Sequence, residues 1–225
     1  MYCVVMARPR GYKQRTTEIN KRLKEFYPVV KCALDHENPY QLLVATILSA
    51  QCTDKRVNIV TPALFKKYPN PSDIASASQV DVEKLIQSTG FFHNKAKNII
   101  AMAQRLVSAF GGEVPENMED LVTLPGTGRK TANVILHVAF AKPGIPVDTH
   151  VSRLCNRLKI TVETDPVKIE FELNKLIDPS EGGDFSLRLI EHGRQICDAK
   201  KPKCNICFLS DICPSFGKFD KAKKH

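Results

Sequence analysis

Four cysteines crowd the C-terminal end of this chain: Cys197, Cys204, Cys207 and Cys213, spaced C-x6-C-x2-C-x5-C. Thiolates at that density are metal ligands, and a shared metal forces residues 197–213 to fold back on one point. Zinc usually takes two short cysteine pairs. Here a single CxxC has a longer loop on either side, so on spacing alone a zinc and an iron-sulfur cubane both stay open. The first of those loops reads DAKKPK, and ligands at both of its ends present Lys200, Lys201 and Lys203 on a short rigid arch. Such an arch suits a nucleic-acid backbone. Cys3, Cys32, Cys52 and Cys155 are scattered and read as core or incidental residues. The opening MYCVVMARPR meets Arg8 too early for a secretory h-region, so no export is expected, the cytoplasm is the expected compartment, and a disulfide framework is not.

The rest of the chain reads as helix. From about Thr17 onward there is little of the period-two alternation of half-buried strands, and the expected fold class is all-α. Ala96, Ile99, Ile100, Ala103, Leu106, Val107 and Phe110 keep the i, i+3, i+4, i+7 rhythm until Gly111-Gly112 stops the helix. Ser78 with Asp81 reads as a capping-box variant before a short helix that Gly90 ends, and Asp165-Pro166 as an N-cap and first helical position. QLLVATILSA is apolar nearly all round, which predicts a helix enclosed by its neighbours. AKPGIPVDTH, with two prolines and a glycine between helical stretches, is the expected domain junction. Arg8, Arg10, Lys13 and Arg15 form a basic N-terminal arm and KFDKAKKH a basic tail, both expected to fray.

Charge points to a partner. Thirty-three Lys and Arg against 24 Asp and Glu leave +9, an excess that draws a protein to polyanions. There is no Trp, which speaks against a stacking platform for single strands and favours duplex. No apolar run approaches the ~18 residues of a membrane span, so no membrane partner is expected.

LPGTGRK at 124–130 is where chemistry concentrates. Pro125 ends the preceding helix, Gly126 and Gly128 allow a tight hairpin, and the free N–H groups of the hairpin and of the helix that follows can converge on a phosphate. An ordinary glycine turn between helices has the same letters. Lys130 follows Arg129 in the first helical turn, where a neighbouring cation and the helix dipole both favour a neutral amine, the form a Schiff-base nucleophile must take. Simple phosphate contact by both cations is the competing reading. Asp148 in VDTH opens the next helix, where it can cap the first turn, or steady positive charge on a sugar and help move a proton. His150 is given no catalytic role.

LPGTGRK, VDTH and the cysteine run, in this order and at these separations, resemble the endonuclease III family of the helix-hairpin-helix glycosylase superfamily, over residues from about 17 to 215. The resemblance implies two helical lobes. One is a six-helix domain with the hairpin at residues 31–141, and the other is an iron-sulfur domain made of 12–30 with 142–217, leaving 1–11 and 218–225 as basic flexible ends. It implies that Lys130 is the nucleophile, Asp148 the catalytic aspartate, and Cys197, Cys204, Cys207 and Cys213 the ligands of a [4Fe-4S] cluster. LSAQCTD resembles the segment whose glutamine fills the gap left by an extruded base, which gives Gln51 that role. GFFHNKA resembles the loop that wedges into the opposite strand, with Phe91 where leucine is frequent. Thr127 stands where an apolar residue is common.

The implied activity is base excision. A damaged pyrimidine is turned out of double-stranded DNA, Lys130 attacks C1′ as the base leaves, and the resulting Schiff base permits β-elimination at the abasic site. The enzyme would act as a monomer. A monofunctional mismatch or adenine glycosylase is the nearest rival, which a lysine at 130 argues against. A silent DNA-binding module is the rival of another class, and it predicts salt-sensitive binding without strand cutting.

Overall fold

The computed structural model describes residues 10–218, so Cys3, Arg8 and most of the KFDKAKKH tail lie outside the described residues. Eleven α-helices and two short 3-10 turns make up the regular structure among them, with no strand. None of the helices is long and apolar enough to cross a membrane. The chain divides into two compact units: Cys32–Gly144, and the residues up to Lys31 together with those from Ile145 onward. AKPGIPVDTH spans the boundary between Gly144 and Ile145.

The first unit is built on α2 (Pro39–Leu48), in which every residue from Tyr40 to Leu48 is buried. An all-apolar sequence has no solvent face to offer, and its neighbours close round it. Asn38 starts the helix by accepting the Gln41 amide at 2.9 Å, with Pro39 at the first position. α3 (Asp54–Lys67), α6 (Phe92–Phe110) and α8 (Arg129–Phe140) pack against it, and α4 (Pro71–Ala75) and α5 (Gln79–Ile86) pack on α6. The remaining helix, α7 (Met118–Leu121), is a single turn packed on α8, so the unit has six helices of five residues or more. Leu43, Leu48, Ile99, Met102, Leu106 and Ile135 are at the centre of one apolar core. α6 ends as its sequence predicts: Gly111 takes φ +62° and the Gly112 amide reaches back to Leu106 O at 2.9 Å.

In the second unit α1 (Tyr12–Phe26), α9 (Thr149–Arg157), α10 (Pro166–Leu173) and α11 (Gly182–Gln195) enclose a separate core that includes Ile19, Leu23, Leu154, Phe185 and Leu189. Asp165 caps α10 by accepting the Lys168 amide at 2.9 Å, with Pro166 first in the helix.

Two expectations are corrected. Ser78 occupies the N-cap of α5 but its hydroxyl makes no capping bond, and the Asp81 carboxylate is turned toward Lys67 (3.5 Å) and Lys84 (3.6 Å), so the capping box does not form. Lys13 and Arg15 belong to α1 rather than to a frayed arm, and Arg15 donates to the carbonyls of Leu158 (3.3 Å) and Lys159 (3.1 Å), the orphaned acceptors at the end of α9.

Candidate functional site

The hairpin at 125–128 joins α7 to α8. Thr127 N donates to Leu124 O at 3.0 Å and Gly126 takes φ +79°, with its Cα so close to α6 that a Cβ would sit 3.0 Å from Asn98 Cβ. Gly128 has an ordinary extended backbone as N-cap of α8, and a Cβ there would meet nothing within 4 Å. Folding requires the first glycine; the second leaves open space over the helix N-terminus, where backbone N–H groups point outward. Thr127 turns inward rather than capping an exposed tip: it is buried and its hydroxyl has no hydrogen-bond partner.

Arg129 and Lys130 are the first two residues of α8, without an acidic residue in the turn to offset them. Lys130 is exposed and makes no hydrogen bond or ion pair with any described residue. An ammonium with no protein partner, beside a row of free N–H donors, is available to a ligand.

Three further non-glycine residues of this unit have left-handed backbones, one of them Ala141 at the end of α8. Gln51, in the turn between α2 and α3, has φ +53°, and Phe91, at the N-cap of α6, has φ +49°. Both are exposed, and Phe91 is 64% accessible, an unusual position for a phenyl ring.

In the other unit Asp148 is the N-cap of α9, its Oδ1 accepting the Val151 amide at 2.8 Å. Its second oxygen lies 3.1 Å from His150 Nδ1. The cap and the contact together hold the carboxylate in one rotamer. The sequence reading gave His150 no part, although its place two residues beyond a capping aspartate was the available signal.

The four cysteines line a single pocket, walled by apolar side chains such as Leu154, Leu158 and Leu209. Burial first, then the fields of Cys197, Cys213 and Cys204, push the Cys207 thiol up to about 11. Four thiolates in such surroundings require a bound cation or cluster to hold them deprotonated. Zinc at about 2.3 Å from each sulfur would draw its ligands into one tight group. Four cysteine sulfurs on one pocket are the donor set that an iron-sulfur cluster takes.

Arg157, which sequence reasoning missed, organises the adjoining loop. Its guanidinium donates to Cys197 Sγ (3.3 Å), Asp198 O (2.7 Å) and Ala199 O (2.7 Å). Asp198 in turn accepts the amides of Lys200 (2.8 Å) and Lys201 (2.9 Å), leaving Lys200, Lys201 and Lys203 exposed on the arch.

An all-helical fold with a glycine hairpin feeding a lysine-bearing helix, and four thiols on one later pocket, defines a helix-hairpin-helix repair protein with a metal cluster. Residues 44–179 match the profile of HhH-GPD superfamily base excision DNA repair proteins, and residues 197–213 match the iron-sulfur binding domain of endonuclease III. The chain is 55% identical over 204 residues to endonuclease III of Synechocystis sp., covering 90% of this chain and 93% of that one. Its structure is similar to a non-covalent endonuclease III–DNA complex, with a TM-score of 0.88, 40% identity and coverage of 92% of this chain and 97% of that one. The same values hold for a trapped covalent intermediate of endonuclease III with DNA. The chain belongs to the endonuclease III family, and is thus a base-excision DNA glycosylase and AP lyase carrying a [4Fe-4S] cluster.

Proposed function

We propose that this enzyme removes oxidised pyrimidines from double-stranded DNA and cuts the strand at the resulting abasic site through a Schiff base on Lys130. The observation that carries this reading is the unpartnered, exposed Lys130 in the first turn of α8, beside the open N–H groups of the Gly126–Gly128 hairpin. Those N–H groups and Arg129 would hold a backbone phosphate without reading sequence.

A base within a duplex is out of reach, so it must be turned out of the stack at a cost of a few kcal/mol. Phe91 would wedge into the opposite strand and Gln51 would occupy the vacancy. The amine of Lys130, once its ammonium has given up a proton, attacks C1′, the glycosidic bond breaks, and the bonding electron pair leaves with the base, which gains a proton. The carboxylate of Asp148, held by the Val151 amide and His150, stabilises positive charge on the sugar and assists the transfer of the proton that the lysine nitrogen loses. Loss of the ring oxygen's bond to C1′ gives the iminium, which acidifies the C2′ proton. Its removal expels the 3′ phosphate by β-elimination, and water then hydrolyses the Schiff base to free the enzyme. Cys197, Cys204, Cys207 and Cys213 would hold the cluster, whose part is to cross-link the loop that presents Lys200, Lys201 and Lys203 to phosphate. The enzyme acts as a monomer, in the cytoplasm.

Borohydride trapping on a labelled duplex with one thymine glycol tests the reading. The native protein should give a covalent adduct and Lys130→Ala none. Free base without an adduct would make the enzyme monofunctional, and an undiminished adduct from Lys130→Ala would remove Lys130 from the chemistry.

A further inference from the structure

Lys95 stands in the first turn of α6, against the helix dipole, and unlike Lys130 it is buried, with 5% of its surface accessible. Its ammonium donates to Thr89 O at 2.8 Å, and no carboxylate among the described residues pairs with it. Burial pushes it below its ordinary value. A long cationic side chain placed so unfavourably needs a return elsewhere.

That return lies in the segment it reaches. Thr89 closes the 3-10 turn before α6, and Gly90, with φ +69°, and Phe91, with φ +49°, follow it. An N-cap is normally extended; a phenylalanine in the left-handed region there is strained. The Lys95 side chain holds the carbonyl of Thr89 on one side of this strain, while on the other the first backbone bond of α6, from the Lys95 amide to the Phe91 carbonyl at 3.1 Å, fixes the start of the helix. Thr89 is itself buried and pinned, its hydroxyl donating to Ile86 O at 2.8 Å. Between the two anchors only Gly90 can turn, and Phe91 is left standing in solvent. Cys52, directly after Gln51, is near enough to bear electrostatically on the same ammonium. Lys95 thus lies directly behind the left-handed turn that carries Phe91.

We propose that Lys95 is a positioning residue for strand opening: it staples the loop before α6 so that Phe91 is presented in its strained, insertion-ready conformation before DNA arrives. The inference rests on Phe91 being the wedge. Preorganisation of this kind lowers the ordering cost of binding and leaves the chemistry at Lys130 untouched.

The test is a double-mutant cycle with Lys95→Met, which fills the same space without donating, and Phe91→Ala. Single-turnover excision of thymine glycol is measured on a fully paired duplex and on one with a mismatched bubble round the lesion. 2-Aminopurine opposite an abasic analogue reports insertion by its fluorescence. Circular dichroism and thermal melting establish that each variant is folded. Lys95→Met should slow excision about tenfold on paired DNA and less than twofold on the bubble, dampen the 2-aminopurine signal, and add less than a further twofold in the Phe91→Ala background. Undiminished excision by Lys95→Met, an equal loss on the bubble, or an independent loss on top of Phe91→Ala would each overturn the staple. If Phe91→Ala alone leaves paired-duplex excision intact, the wedge reading is what fails. Lys95→Gln, shorter but still a donor, serves if the methionine variant is unstable and is held to the same pattern at smaller size; failure of both to fold would make Lys95 a plain structural residue and end the proposal.

Discussion

The two glycines of the hairpin look interchangeable in sequence and do different work in space. Gly126 combines φ +79° with a Cβ position 3.0 Å from Asn98 Cβ, so Gly126→Ala should destabilise the protein by roughly 1–3 kcal/mol in urea unfolding. Gly128 has an extended backbone and nothing within 4 Å of a Cβ, so Gly128→Ala should cost at most about 1 kcal/mol, from the poorer N-cap. Its effect should fall on DNA affinity, since a methyl there fills the approach of a phosphate; a titration with abasic-analogue duplex should show Kd raised several-fold for Gly128→Ala at unchanged stability. Between them Thr127 buries a hydroxyl with no partner. Thr127→Val removes an unmade hydrogen bond at constant shape and should raise stability by about 1 kcal/mol, read from the same unfolding curves.

At the scale of elements, legibility in the sequence follows how local the cause is. α6 could be read because its apolar rhythm and its Gly111-Gly112 stop are both within the segment, and α10 because Asp165-Pro166 is a complete start signal. α5 starts after the Ser78 N-cap that the sequence marks, but without its capping box, since Asp81 faces Lys67, a residue of α3. The capping box of α4, Asn70 with Asp73, was present in the letters and passed over. α1 was read too short because Arg15 is fixed by carbonyls at the far end of α9, more than a hundred positions along the chain. The left-handed turns at Gln51 and Phe91 and the side chain of Lys95 behind the second had no local signature at all. The cluster loop is a mixed case. Its cysteines were plain, while its stiffness depends on Arg157, whose partners lie about forty residues away. Arg157→Gln should therefore leave α9 helical but loosen residues 198–203. Hydrogen exchange of the Lys200 and Lys201 amides should speed up about tenfold, equivalent to ~1.4 kcal/mol of local opening.

For the molecule as a whole, the decisive feature is that its two units have separate cores. The apolar cluster round α2 draws only on residues between Leu34 and Leu136, and that round α9 and α11 only on Ile19 to Tyr27 and Ile145 to Leu209. Only the second has the four clustered cysteines, and there the described residues after α11 have a single 3-10 turn and no α-helix to hold them. Their anchors in the protein include the fully buried Leu209, the stack of Phe208 on Phe26, the bidentate pair of Arg22 with Asp211, at 2.6 and 3.0 Å, the Arg22 bond to Phe208 O and the Arg157 contacts. Arg22 with Asp211 is largely solvent-facing, a setting in which ion pairs contribute little. The cluster adds to these anchors, because its binding free energy is also folding free energy. Removing iron with a chelator should act unevenly: amide protection should be lost first in residues 197–218 and weaken through α9 and α11, while α2, α6 and α8 keep theirs. Hydrogen exchange with peptide resolution, on holo and iron-stripped full-length protein, checks this. Uniform loss of protection over both units would mean that they fold as one cooperative block, and unchanged protection after 197 would mean that the protein contacts alone suffice to hold the segment.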